Sequence, residues 1–171
     1  WTPIGTGSRS ESTYIGNAFT GTFDGKNHTI SKLTLTSLPS EATKDYAIGL
    51  FGVVDGGTVK NLKLENVNIN VSESELAGGA VGLLVNSGIV DNITVSGTVS
   101  AKRGNGGIVG RVLKSGTISN CINNAIINGT GANVGGIVGA AYYTENDKEM
   151  AISNCTNNGA IIGNASGVGG I

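Results

Sequence analysis

The feature that most constrains this chain is a short glycine-flanked tooth that returns at a nearly fixed interval. "GGIVG" stands at residues 106–110 and 135–139, with relatives "AIGLFG" at 47–52 and "GGAVG" at 78–82. Their last glycines, Gly52, Gly82, Gly110 and Gly139, are spaced by 30, 28 and 29 residues. A further glycine pair, Gly169-Gly170, follows Gly135-Gly136 after 34 residues, and the extra length fits a polar turn inserted at "AAYYTENDKEM" (140–150). Self-similarity at such a period is the mark of a solenoid.

A second unit follows the teeth: "GTVKNLKLENVNI" (57–69), "GIVDNITVSGTVS" (88–100), "GTISNCINNAII" (116–127) and "MAISNCTNNGAII" (150–162). An earlier, looser copy is "HTISKLTLTS" (28–37), with Lys32 where the others carry Asn. Helical repeats need apolar residues at 3.6 spacing over ten or more positions, without a glycine every few residues. Here the apolar segments are short, mostly β-branched and punctuated by glycine and asparagine, which suits strands and turns. A leucine-rich repeat would need a denser leucine ladder. The expected fold is therefore all-β: a parallel β-helix of about five to six coils, roughly 29 residues and three short strands per coil. Residues 1–171 form one such repeat domain, with units at approximately 1–46, 47–77, 78–105, 106–134 and 135–168.

Stacking fixes which residues meet. Val59, Val90, Ile118 and Ile152 are expected in one inward row with Ile30 below them, and Leu62, Ile93, Cys121 and Cys155 in a second with Leu33 below. Two rows three residues apart cannot both point inward along a straight strand, because side chains alternate. A bend must intervene, and Asn61, Asn92, Asn120 and Asn154 sit there. Asn tolerates left-handed backbone geometry, and stacked asparagines can hydrogen-bond as a ladder.

Composition narrows the function classes. The chain has 29 Gly and 19 Asn, only 13% charged residues and a net charge of −1, with no basic or acidic block. That removes the electrostatic footprint of a nucleic-acid binder. No apolar run reaches the roughly 18 residues of a spanning helix, so membrane insertion is not expected. The chain begins at Trp1 and stops in "GVGGI" (167–171), the start of another tooth, as a piece of a longer protein would.

The chemically suggestive residues have plain readings. "GNGGIVG" (104–110) reads G-x-G-x-x-x-G, one residue too long for a dinucleotide loop, and such a loop would not recur at one period. No cofactor is expected. Cys121 and Cys155 occupy matching places and are close enough for a disulfide, but parallel neighbours orient poorly, which favours stacked free thiols. His28, the one histidine, has no metal or triad partners and flanks the tight turn signalled by Asp24-Gly25. "SESE" (72–75) and "ENDKE" (145–149) read as solvated loop tips, and Lys60 is expected beside Asp91. No carboxylate pair of the kind a glycoside hydrolase uses assembles from these registers, and no metal ligand set is present. The six N-x-S/T sequons, at Asn27, Asn70, Asn92, Asn128, Asn154 and Asn164, are compositional.

The ordered elements "WTPIG…FTGTFDGKNHTISKLTL…AIGLFGVVDGGTVKNLKLENVNI" (1–69), with Gly49-Leu50-Phe51-Gly52 as the Gly-Leu-apolar-Gly core, resemble the GLUG repeats of bacterial surface proteins. "GGIVG" followed by "ISNC.NN" (106–124, 135–158) is similar to further repeats of that sort. The family includes adhesin-like proteins and the non-catalytic regions of immunoglobulin A proteases. The resemblance implies a secreted or surface-attached β-helical module; it does not imply protease activity, because the H-E-x-x-H zinc helix of the family's metallopeptidases does not occur in these 171 residues.

The expected function is therefore a non-enzymatic extracellular module, a stalk, spacer or adhesive surface. Its partners would be a host protein or glycan, other parts of the parent protein, or a second copy end to end. Contacts are expected at the loops 37–46, 72–78 and 140–150, with Tyr46, Tyr142 and Tyr143 foremost. A carbohydrate-active β-helix enzyme is the alternative, and an ice-binding surface a more distant one. Thr-x-Thr at 20–22 and 34–36 does not recur through the later coils.

Overall fold

The computed structural model describes residues 1–11, 13–40, 42–142 and 150–171. Among them every regular element is a strand, and all but the first two strands stack in parallel into a β-solenoid. Three sheets run along its axis. A short sheet consists of Phe51–Asp55, Val81–Val85, Val109–Leu113 and Val138–Tyr142. A corner sheet is built from the two-residue strands Ala77–Gly78, Asn105–Gly106, Val134–Gly135 and Val168–Gly169. The long sheet has five rungs, its longest strands being Thr58–Val71 and Gly88–Ala101. Successive rungs lie roughly 30 residues apart, giving about four turns rather than five to six. The difference arises at the start of the chain. Thr6–Ser10 and Thr13–Asn17 form an antiparallel hairpin and so add no coil.

That hairpin splits the lowest rung of the short sheet. Ile4 bridges Phe51 on one side of the insertion and Phe19 bridges Val54 on the other. Below the first full coil the core is filled by aromatic rings: Phe51 lies 5.0 Å from Phe19, tilted, and 5.3 Å from Phe23, edge-on, as ring quadrupoles prefer.

The first inward row forms as the repeat demands, Val59 pairing with Val90, Val90 with Ile118 and Ile118 with Ile152. Val59, Val90 and Ile118 have no exposed surface. Burying each stabilises the fold by about 1.5–3 kcal/mol. In the second row Leu62 pairs with Ile93, and Cys121 and Cys155 follow in the same column.

The lowest members of both rows differ from expectation. Phe23 lies beside Val59 and His28 beside Leu62, while Ile30 pairs with Leu64. Leu33 belongs further along, where its carbonyl accepts from Asn68 N. The copy in the first coil is thus "TFDGKNHTI", not "HTISKL". Asn27 (φ 60°) makes the bend that Asn61 makes above it, and Lys32 (φ 60°) makes the next one. Both are left-handed, so the tripeptide around Lys32 imitates the motif locally while standing at a different corner.

The bend asparagines adopt the predicted backbone: φ is 55° at Asn61, 52° at Asn92, 55° at Asn120 and 52° at Asn154. Their amides form two strings instead of one ladder. Asn92 Nδ2 donates to Asn61 Oδ1 at 2.8 Å and Asn61 Nδ2 donates to Asp24 Oδ1 at 3.0 Å. Asn154 Nδ2 donates to Asn120 Oδ1 at 3.3 Å, but Asn120 Nδ2 turns to Asp91 Oδ1 at 2.7 Å. A carboxylate accepts more strongly than an amide and interrupts the run.

A measurable asymmetry follows at Asn92. A left-handed backbone costs an ordinary L-residue about 1–2 kcal/mol and costs glycine almost nothing. Asn92→Ala is expected to destabilise by about 2 kcal/mol, and Asn92→Gly by roughly 1 kcal/mol less. Urea unfolding of the two variants checks this, and equal losses would show that the side-chain bonds alone hold the corner.

Candidate functional site

The teeth are built for packing. An inward column runs Leu64, Val95, Asn123 and Asn157 along the long sheet, opposite successive teeth. A Cβ on Gly79 would stand 2.6 Å from Val95 Cγ1, and one on Gly107 or Gly136 would collide with the amide carbon of Asn123 or Asn157. The second glycine of each of these teeth is therefore a notch for the facing side chain. No phosphate cradle is needed to explain it.

Asn123 has no exposed surface. Its Nδ2 donates to Ala125 O at 3.1 Å and Asn157 Oδ1 at 2.7 Å, and its Oδ1 accepts from Ala125 N at 3.0 Å. This internal amide pair was missed in the sequence, although parity signals it: Asn123 is two residues beyond inward Cys121, so it shares that face.

Cys121 and Cys155 are free thiols. Cys121 donates to Ser119 O at 3.1 Å, and burial pushes its thiol up to about 12. Thiol reagents act on the thiolate, so Cys121 is expected to resist dithionitrobenzoate at pH 8 until the protein is denatured. Prompt native labelling, mapped to Cys121 by mass spectrometry, would contradict its burial. Because the unfolded thiol ionises near pH 9 while the native one holds its proton higher, stability from this group is present below pH 9. It declines as pH rises from 9 toward 12.

The surface contacts proposed from sequence divide three ways. Tyr46 is only 9% exposed and joins the core, with burial raising its phenol above the usual range. It was expected at the surface as part of the loop 37–46, yet Leu38 and Ala42 of that stretch also pack on the core. Tyr142 is half exposed, and Tyr143 lies outside the described residues. The "SESE" tip is likewise half internal: Ser74 and Glu75 are buried and hold neighbouring backbone and cations, while Ser72 and Glu73 face solvent. "ENDKE" falls outside the described residues. Lys60 does share a register position with Asp91, but its ammonium lies 3.9 Å from Asp24 instead. Asp91 is occupied by Ser119 and Asn120. His28 is exposed, as expected.

Among the described residues two polar places stand out. One is the exposed asparagine corner, where Asn61 and the Lys26 amide, both donating to Asp24, hold its carboxyl below the ordinary range. A carboxylate so stabilised is a poor general acid near neutrality.

The other place lies on the outer face of the short sheet. Val53, Leu83, Val85 and Leu113 point outward there and are buried, with Tyr14 and Ala18 of the hairpin region packed on them. Arg111 stands among them, in register with Leu83 and Ala140 and only 4% exposed. Its guanidinium lies 4.8 Å from the Tyr142 ring. Burial, then the nearby Arg9 charge, lowers its pKa from the ordinary arginine value. Around it, Arg9 Nη2 donates to Asp45 at 2.7 Å, and Glu75 lies between Lys44 at 3.3 Å and Arg103 at 3.8 Å. Sequence reading passed over Arg111 because "VGRVL" is buried on both faces, leaving no alternation to read.

Among the described residues no three His, Cys, Asp or Glu side chains gather as a metal site, and no helix is long and apolar enough to cross a membrane. No family model matches the chain, and no solved structure matches it. It is similar to Halomucin of Haloquadratum walsbyi (strain DSM 16790 / HBSQ001), 42% identical over 86 residues, which is 50% of this chain and 1% of that protein. The chain thus spans about 1% of the length of this curated relative.

Proposed function

We propose that this solenoid is a non-enzymatic module of a protein exposed on the cell surface, acting as a spacer or an adhesive face. The observation that carries the reading is the stacking itself. Repeat after repeat spends its distinctive residues, the tooth glycines and the bend asparagines, on holding the next coil. A chain so invested makes length and side area, which is what a stalk or an extended binding surface requires. The local likeness to a very long protein with mucin in its name supports a place outside the cell. The likeness to GLUG repeats in the ordered elements of residues 1–69 supports the same reading and suggests a host protein or glycan as partner.

Antibodies raised against the 171-residue chain test the location. On intact cells making the parent protein they are expected to label the surface, and the signal is expected to vanish after brief protease shaving. Labelling only after permeabilisation would overturn the proposal.

A further inference from the structure

We propose that Cys121 and Cys155 are a cross-coil disulfide site, closed by exchange with a small-molecule disulfide. The two thiols occupy one position on adjacent rungs of the long sheet. Ser119 pairs with Ser153 just before them and Ile122 with Thr156 just after, so the register runs unbroken through the cysteines. Thr156 N donates to Cys121 O at 2.9 Å, which fixes the two backbones side by side at that point. Neighbouring strands stand about 4.8 Å apart, inside the Cα separation of about 4.4–6.8 Å that a disulfide bridges. Both side chains are free and both pack with the core, and nothing in the surface-module reading uses them.

The thiol contacts show how the bond forms. Each Sγ donates to the carbonyl two residues before it, Cys121 to Ser119 O at 3.1 Å and Cys155 to Ser153 O at 3.2 Å. Each also leans toward the coil below, Cys121 Sγ lying 3.8 Å from Val90 O and Cys155 Sγ 3.7 Å from Ile118 O. Cys155 therefore already points toward the coil that holds Cys121, and only Cys121 must turn about its Cα–Cβ bond to meet it. A thiol is a weak donor, so the contacts given up are small. Exposure orders the steps, since Cys155 is partly exposed and Cys121 is buried. The Cys155 thiolate attacks one sulfur of the external disulfide, forming a mixed disulfide and releasing one small thiolate. Cys121, losing its proton, then attacks Cys155 Sγ, which forms the internal bond and releases the second small thiol. The two cysteines lose two electrons and the external disulfide gains them. Cys121 never meets the reagent itself, so its expected resistance to labelling stands. The closed ring encloses a full repeat, and a loop of that length withdraws much freedom from the unfolded chain.

The test incubates the reduced 171-residue chain with oxidised glutathione and maps the product by mass spectrometry. The expected product is a monomer lighter by two hydrogens, whose linked peptides carry Cys121 and Cys155. Its thermal unfolding midpoint should lie roughly 5–10 °C above that of the reduced chain and return with dithiothreitol. Cys155→Ser is expected to fold, to form no link and to show no shift. In mixtures of reduced and oxidised glutathione the internal bond should be favoured at least tenfold more in the native chain than in urea, because the fold holds the two sulfurs together. A product that stops at glutathione on Cys155, a dimer joined through that residue, or a link no more favoured in the native chain than in urea would each overturn the assignment.

Discussion

Replacing Gly106 by alanine is expected to remove about 4 kcal/mol of stability, near the upper end of what a single methyl can do. A Cβ at this position would run into the carbonyl oxygen of Val109 and come within 2.8 Å of both Val109 C and Gly139 N. These are backbone atoms of a tight turn and of the next coil, so no rotamer change relieves the clash. The corner strand Asn105–Gly106 would have to separate from Val134–Gly135, breaking the parallel pairing on that side. Gly170→Ala is the internal control. It lies in the equivalent tooth of the last coil, where nothing stands within 4 Å of the added carbon. Its cost should fall within about 0.5 kcal/mol, the usual range for an unencumbered surface change. Urea titrations of the two variants with unchanged slopes would carry the comparison. A Gly106→Ala midpoint equal to the parent's would mean that coils can slide apart at this corner without loss.

The second large effect is expected at Asn123. Truncation to alanine leaves Ala125 N, Ala125 O and Asn157 Oδ1 without their partner inside the stack. Each stranded buried group costs on the order of 1–3 kcal/mol, part of which entering water can restore, so a net loss of about 3 kcal/mol is expected. Asn123→Val is the more revealing variant. Valine is what the coil below carries at this place, as Val95, so shape is preserved while the polar bonds are lost. Combining it with Asn157→Val removes both ends of the amide pair. The double variant should recover at least about 1 kcal/mol relative to the sum of the singles, because residues in one hydrogen-bond network do not add. Strict additivity would separate the two amides energetically and remove the notch-and-amide account of the later teeth.

These two positions also mark what could be read in the chain before its structure. The glycine period located the coils, and the row through Val59, Val90, Ile118 and Ile152 followed from it, because a parallel stack carries one coil's register into the next. The left-handed asparagines were legible too, since few other residues adopt that backbone readily. The first coil was misread by motif likeness, where Lys32 at one left-handed corner looked like Asn61 at another. The hairpin of Thr6–Asn17 was invisible because an insertion has no period to betray it. The direction of the side chains at the corner could not be foreseen either. Whether Asn120 reaches for Asn92 or Asp91 depends on which acceptor is stronger, and the repeat alone does not rank them. Arg111 needed the sheet to be seen covered on its outer side before its burial meant anything.

The column Leu64, Val95, Asn123 and Asn157 changes character halfway up the stack, and this gives the coils a grammar. An apolar coil can follow an apolar coil, and an amide coil can follow an amide coil, since each then meets its own kind. A duplicated copy of the Asn123 coil would stack on the original with its donor and acceptor matched. Moving the Val95 coil above Asn123 would leave that amide facing a methyl group. Repeats of nearly equal length are therefore not interchangeable bricks. Gene duplication could lengthen this rod from within either half more readily than shuffling could reorder it, and the seam between Val95 and Asn123 is where an amide meets methyl groups.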